Sequence, residues 1–304
     1  MPGRRSERIH PERSGGRVQE IVPASQTDLS PDLAPELVPD LARRFAGVRR
    51  LYGEAGLARL QAAHVCVIGI GGVGSWAAEA LARNAVGHIT LIDLDNIAES
   101  NVNRQLHAVE GAFGKAKVSA MAARILSINP LCQVHEVEDF ITVDNVAAML
   151  GQGFDAVLDA IDDARAKVAI AACCKRQHIA LVTTGGAGGR LDPTRIRIAD
   201  LARVHGDRLI AKVRNQLRRE HGFPQAPHGK QLATVFGIPC VYSDEPVQPP
   251  DPSCELETTI DQHAGITGLN CAGYGSSVCV TAPFGMAAAA QVLNLLQSGQ
   301  SVAG

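Results

Sequence analysis

Aromatic residues are scarce in this 304-residue chain, with seven Phe, three Tyr and one Trp making up 4%. A core must therefore be built from Ala, Val, Ile and Leu, as helices packed on a parallel sheet require. The eight cysteines, at 66, 132, 173, 174, 240, 254, 271 and 279, include no Cys-x-x-Cys pair, which removes the spacing of a four-cysteine zinc site. The first 40 residues hold no apolar core of a secretory signal, and no later run approaches the ~20 apolar residues of a membrane span. The expectation is no membrane, a cytoplasmic location and reduced thiols. An excess of either charge is missing too: 29 Lys and Arg face 31 Asp and Glu, a net charge of −2 that marks no general polyanion binder. Locally the balance differs. From residue 190 to 230, ten Lys and Arg stand against four Asp and Glu, an excess that suits nucleic acid.

What is present is organised around residues 65 to 95. An apolar run, Val65-Cys66-Val67-Ile68, leads through Gly69-Ile70-Gly71-Gly72-Val73-Gly74-Ser75 into a helical pattern, Trp76 to Arg83. A second apolar run, Ile89 to Ile92, then delivers Asp93 and Asp95 at its carboxyl end. This is the layout of a nucleotide-binding strand-turn-helix-strand unit: glycines let the backbone approach phosphate, the helix N-terminus faces it, and an acidic residue takes the ribose hydroxyls. The turn lacks the Gly-Lys-Ser/Thr ending of a P-loop. After the second strand come Asn103-Arg104-Gln105 and Lys117, cations that a dinucleotide held by the turn does not need but a triphosphate losing pyrophosphate does.

Taken in order, residues 1–40 carry six prolines and read as a disordered extension, or as a basic arm through Arg4, Arg5, Arg13 and Arg17 diluted by Glu7, Glu12 and Glu20. Two short helices are expected between 41 and 60. Residues 116–128 read as a helix stopped by Asn129-Pro130, 132–137 as a strand, 143–150 as a short helix, and 156–163 as an apolar strand ending in carboxylates. In that reading Asp159 and Asp162 open onto the ligand crevice. A helix over 164–176 returns to a strand at 179–183, followed by Gly185-Gly186-Ala187-Gly188-Gly189, either a loop against a ligand or a tight crossover turn. Residues 195–198 are a sixth strand. Residues 207–219 form an amphipathic helix whose Arg208, Lys212, Arg214, Arg218 and Arg219 are candidates for contact with a nucleic-acid backbone. Residues 220–270, rich in proline, read as a mobile loop, and 278–297 as a last strand or helix start running into a buried helix. The class is α/β, a doubly wound, mostly parallel, Rossmann-like sheet with a C-terminal extension. Its expected divisions are 41–200, a nucleotide-binding core, and 201–304, a substrate and dimer region.

Arg49-Arg50-Leu51-Tyr52-Gly53, Gly69 to Arg83, Asn103-Arg104-Gln105, Thr183 to Gly189, Cys240-Val241-Tyr242-Ser243 and the Cys271 to Gly285 tail together resemble the ubiquitin-activating-enzyme-like (E1-like) adenylyltransferases, the superfamily of the ThiF, MoeB and HesA proteins. The resemblance spans about residues 41 to 296. Within the superfamily it is to the branch that dehydrates N6-threonylcarbamoyladenosine beside the anticodon of tRNA. It implies an ATP-dependent, ligase-type reaction: the substrate carboxylate attacks the α-phosphorus, pyrophosphate leaves, and the acyl-adenylate closes on the modification's own urea group with loss of AMP. It further implies a homodimer, Mg²⁺, a tRNA substrate and, in some members, sulfur-transfer-like accessory proteins.

Residue by residue, the resemblance places Gly69, Gly71, Gly72 and Gly74 under the phosphates, with Asp93 on the ribose and Asp95 beside it. It puts Asn103, Arg104 and Gln105 at the triphosphate, Lys117 on the phosphates and Asp162 on Mg²⁺. Arg44, with Arg43 as its neighbour, is the match for an arginine that reaches the partner subunit's γ-phosphate. Cys271 matches a tail cysteine, for which a transient thioester, cleft lining and plain packing all stand open. A carboxylate nucleophile is ionised at neutral pH, so no strong base is needed; cations offset the charge growing on pyrophosphate. Two other readings compete: activation of the C-terminal glycine of a ubiquitin-like sulfur carrier, and an NAD-binding oxidoreductase or nucleotide sensor. The absent Cys-x-x-Cys pair and the basic helix weigh against the first. Arg104, Lys117 and Asp162 weigh against the second.

Overall fold

The computed structural model describes residues 39–225, 235–251 and 274–298. The N-terminal extension, most of the proline-rich loop and Cys271 lie outside the described residues.

The chain enters through a turn of helix, α1 (Leu41–Arg44), and then α2 (Ala46–Ala62), which is broken at Gly53, where φ is +73°. The expected pair of short helices is thus one run interrupted by a glycine in a conformation that L side chains rarely adopt. From there strands and helices alternate: β1 (His64–Ile68), α3 (Gly74–Arg83), β2 (His88–Ile92), α4 (Lys117–Ile128), β3 (Gln133–Val137), α5 (Val146–Leu150), β4 (Ala156–Asp159), α6 (Ala164–Gln177) and β5 (Ala180–Thr184). The chain ends with β6 (Ile196–Asp200), α7 (Arg208–Glu220), β7 (Pro239–Ser243) and α8 (Val278–Ser298).

The seven strands form one sheet in the order β3-β2-β1-β4-β5-β7-β6, parallel except for β6, which runs antiparallel to β7. The order reverses beside β1, the switch point where ligands enter such sheets. Alternation along β1 supplies both faces of the core. Val65 and Val67 pack with Leu81, Met121 and Phe284 under α3, α4 and α8, while Cys66 and Ile68 pack with Ile170 and Leu217 under α6 and α7.

Three expectations are corrected. β7 lies inside the stretch read as loop. Its proline stands at the first strand position, where a missing N–H is tolerated, and Cys240-Val241-Tyr242 are buried between β5 and β6. The fourth strand stops at Asp159 rather than running to residue 163. The C-terminal stretch is a single 21-residue helix with Pro283 inside it, long and apolar enough by composition to cross a membrane, contrary to the reading that no such run exists. Its Val280, Phe284, Ala288 and Val292 nevertheless belong to the core against α3. Gly285 permits that approach: a Cβ there would stand 2.4 Å from the Val73 carbonyl oxygen.

Candidate nucleotide-binding and active site

Because the strands are parallel, the segments leaving β1, β2, β4 and β5 emerge at one edge of the sheet. The glycine turn leaves β1 through Gly69, with φ +85°. Its tightness is set by Gly74, since a Cβ there would lie 1.8 Å from the carbonyl oxygen of Gly69. Over Gly71 the space is open. Against Gly72 lies the aliphatic stem of Arg104, 3.1 Å from where a Cβ would be. The turn and the arginine are therefore one surface, with free backbone at its centre. An anion there meets the N-terminus of α3.

Asp93 closes the turn from the side. One carboxylate oxygen accepts from the Ile70 amide at 2.6 Å and the other from the Asp95 amide at 2.9 Å. Burial pushes its pKa up, and the Lys117 ammonium and the two amides offset that only in part. Lys117 is the first residue of α4 and only 6% exposed. Its Nζ donates to Asp95 at 2.7 Å and lies 3.9 Å from Asp93. Asp93, Asp95 and Lys117 thus form one ion cluster beside the turn. Arg104 donates to the Ser100 carbonyl and to the Asn103 side chain, and its own carbonyl accepts from Trp76 Nε1 at 3.0 Å.

Two residues of the Asn103-Arg104-Gln105 cluster are placed differently from the expectation that all three face phosphate. Asn103 reaches the C-terminal segment, donating to the Ser276 carbonyl at 2.8 Å while its carbonyl accepts from Val278, so it ties the start of α8 to the Arg104 turn. Gln105 is 6% exposed, and its Oε1 is buried with no partner among the described residues. His107, equally buried, has no partner for either ring nitrogen among those residues. Burial, with Lys117 nearby, pushes the His107 pKa down to about 4, so its ring is neutral at physiological pH. Sequence reasoning passed over His107; its position between Arg104 and Lys117 was the only available signal.

The carboxylates after β4 divide into three roles, correcting the expectation that Asp159 opens onto the crevice. Asp159 is 1% exposed and paired with Lys167, equally buried, at 3.0 Å. Asp163 caps α6 by accepting from the Ala166 amide at 2.7 Å. Asp162, between them, is half-buried and makes no hydrogen bond or ion pair among the described residues, the condition of a carboxylate left for a ligand. No group of three His, Cys, Asp or Glu among those residues forms a metal cage. A cation here would have to share its coordination with phosphate, as Mg²⁺ commonly does.

Arg44 donates to the carbonyls of Ile128 at 2.6 Å and Ser127 at 3.4 Å, the far end of the helix that Lys117 begins. Eleven residues of helix separate the two ends, about 16 Å, so Arg44 does not serve this chain's own turn. Of the basic residues on α7, Arg214 donates to the Val204 carbonyl, Arg218 to the Pro224 carbonyl while lying over the Phe236 ring, and Arg219 pairs with Glu220. Arg208 and Lys212 are exposed and unpaired among the described residues. The glycine loop after β5 is a packed crossover: Gly186 donates to Asp207, the N-cap of α7, and Gly189 bonds Gly275 and Gln248.

Comparison with known proteins places this geometry. The model of the ThiF family matches residues 42–302. The tRNA threonylcarbamoyladenosine dehydratase of Escherichia coli K12 is 46% identical over 260 residues, 84% of this chain and 94% of that protein. The crystal structure of E. coli tRNA N6-threonylcarbamoyladenosine dehydratase in complex with ATP is similar at 43% identity with a TM-score of 0.74, covering 88% of this chain and 100% of that one. Its complex with AMP is similar at 43% identity and a TM-score of 0.74 over 86% and 98%.

Proposed function

The chain belongs to the ThiF family, and on that footing we propose that it dehydrates N6-threonylcarbamoyladenosine in tRNA, using ATP to activate the modification's carboxylate. The carboxylate oxygen attacks the α-phosphorus of ATP and expels pyrophosphate. The urea nitrogen then attacks the acyl carbon and releases AMP, and a proton leaves the nitrogen. The net change in the nucleoside is the loss of one water, which makes the reaction ligase-like in its use of ATP. Support comes from relatives of that name, similar over most of this chain, the E. coli one having been solved in complex with ATP and in complex with AMP. Activation of a sulfur-carrier protein is not favoured.

The observation that carries the site assignment is that Asp162, without a partner among the described residues, follows β4 at the sheet edge where the open backbone over Gly71 follows β1. Gly69, Gly71, Gly72 and Gly74 let the chain approach the phosphates, and Asp93 is placed to accept from the ribose hydroxyls. Arg104 and Lys117 neutralise charge that grows on the leaving pyrophosphate. Lys117 does so by exchanging its Asp95 partner for a phosphate oxygen of similar charge. Asp162 would hold Mg²⁺, which when bound screens the repulsion between two anions. No side chain need act as a strong base, because the nucleophile is already ionised.

A homodimer is part of the proposal, with Arg44, exposed at the far end of α4, reaching the partner subunit. Sedimentation equilibrium returning only the monomer mass would exclude it. A cytoplasmic location fits the six described cysteines, all of them unpaired. The central test is mass spectrometry of nucleosides after incubating modified tRNA with protein, ATP and Mg²⁺. An ATP-dependent loss of one water, absent in Asp162→Ala, is the expected result. No mass change, with pyrophosphate released only when a Gly-Gly-ended carrier is added, would move the activity to the sulfur-carrier branch.

A further inference from the structure

Lys167 and Asp159 are buried beneath the site, where no step of the proposed chemistry calls on them. Each side chain is 1% exposed. All polar contacts of the Lys167 ammonium are filled: Asp159 Oδ2 at 3.0 Å, Thr183 Oγ1 at 3.2 Å and the Asp159 carbonyl at 3.4 Å. Thr183 in turn donates to Asp159 Oδ2 at 2.7 Å, and Thr184 to the Asp159 carbonyl at 3.3 Å. The remaining carboxylate oxygen, Oδ1, accepts from the backbone amide of Ile161 at 3.2 Å.

A buried ion pair is a poor way to stabilise a fold, since apolar residues of similar volume commonly do as well. What an apolar pair cannot do is hold the Ile161 amide. That bond bends the chain as it leaves β4, and the Asp163 cap on α6 fixes it two residues later. Asp162 stands between these anchors with no partner among the described residues. The bent segment also lies against the phosphate turn: a Cβ on Gly69 would stand 3.1 Å from the Ala160 carbonyl carbon and the Ile161 nitrogen.

We infer that Lys167, Asp159 and Thr183 are positioning residues that set the direction of the Asp162 carboxylate and keep it in register with the glycine turn. The inference rests on the reading of Asp162 as the Mg²⁺ ligand. Residues behind a metal ligand typically account for ten- to hundredfold in metal affinity.

The test uses Mn²⁺ as a paramagnetic probe of the full-length protein with a non-hydrolysable ATP analogue, free Mn²⁺ being read by electron paramagnetic resonance. The paired variant Asp159→Leu/Lys167→Met leaves no uncompensated buried charge and removes the acceptor of the Ile161 amide. It is expected to melt as one cooperative transition and to bind the metal-free analogue as the wild type does. Its Mn²⁺ dissociation constant should rise at least about tenfold. Lys167→Arg, which keeps the charge and the reach to Asp159, should recover most of that loss. Thr183→Val, which removes one hydroxyl and adds no charge, should weaken Mn²⁺ by roughly threefold and serves if the paired variant does not fold. Wild-type Mn²⁺ affinity in the paired variant or, failing its folding, in Thr183→Val, with affinity lost in Asp162→Ala, would overturn the positioning role alone. Unchanged affinity in Asp162→Ala would overturn the metal-ligand reading, and the positioning role with it.

Discussion

His107 offers a prediction whose size follows from its surroundings. The ring is 6% exposed, both nitrogens lack partners among the described residues, and burial beside Lys117 depresses its pKa to about 4. An unfolded histidine titrates near 6.5. Between those values the unfolded chain binds the proton and the folded one does not, so stability rises with pH across the window. The contribution is fully present above about pH 6.5 and is lost as the pH falls towards 4. At one pKa unit per ~1.36 kcal/mol, acidification from pH 7.5 to 4.5 should remove about 2.5 kcal/mol through this residue alone. His107→Leu keeps an apolar side chain of similar bulk and cannot titrate. Urea denaturation of both proteins at half-unit steps, with and without ATP, isolates the effect, because every other titrating group, His64 included, is common to the two. The gap between wild type and variant should move by about 2.5 kcal/mol over the range in favour of the variant at acid pH. A gap that stays constant would show that the ring is hydrated or paired in solution and would refute the reasoning.

Two further outcomes are expected. Gly74→Ala would place a methyl 1.8 Å from the Gly69 carbonyl oxygen, a backbone atom that cannot swing aside, so the turn must open; destabilisation of about 3 kcal/mol or more and loss of the thermal shift on adding ATP should follow. A variant that is as stable as wild type and still responds to ATP would sink the tight-turn account. Arg208→Glu with Lys212→Glu, the two exposed α7 cations unpaired among the described residues, should weaken tRNA binding roughly tenfold at moderate salt and lower the salt slope by about one or two, with ATP binding untouched. An unchanged salt slope would remove α7 from the tRNA surface.

The nucleotide half was legible because its signals are local. Val65 to Ile68 is short, apolar and followed at once by glycines, so strand, turn and helix are dictated within 20 residues, and Asp93 falls at the end of the next strand. Their placement in the structure follows that order, β1 to α3 to β2. The helix over 207–219 was legible for the same reason: Ile210, Val213 and Leu217 repeat with helical spacing and are its buried face. By contrast, β7 was hidden in a proline-rich stretch, because what makes Cys240-Val241-Tyr242 a strand is the gap between β5 and β6, contributed by residues 40 to 60 positions earlier.

The sequence alone therefore determined the class of fold, the glycine turn and the place of Asp93 at the end of the next strand, since each depends on residues close in the chain. Tertiary structure alone decided how four neighbouring carboxylates and cations divide their work. Asp159 is buried against Lys167 and Thr183, Asp163 meets a helix N-terminus, and Asp162 has no partner among the described residues. Arg44, matched by likeness to a phosphate of the partner subunit, meets the carbonyl end of α4 within its own chain. The physical reason is common to these cases: charge alone names what a side chain can bind, and burial together with the nearest unsatisfied donor or acceptor selects what it does bind.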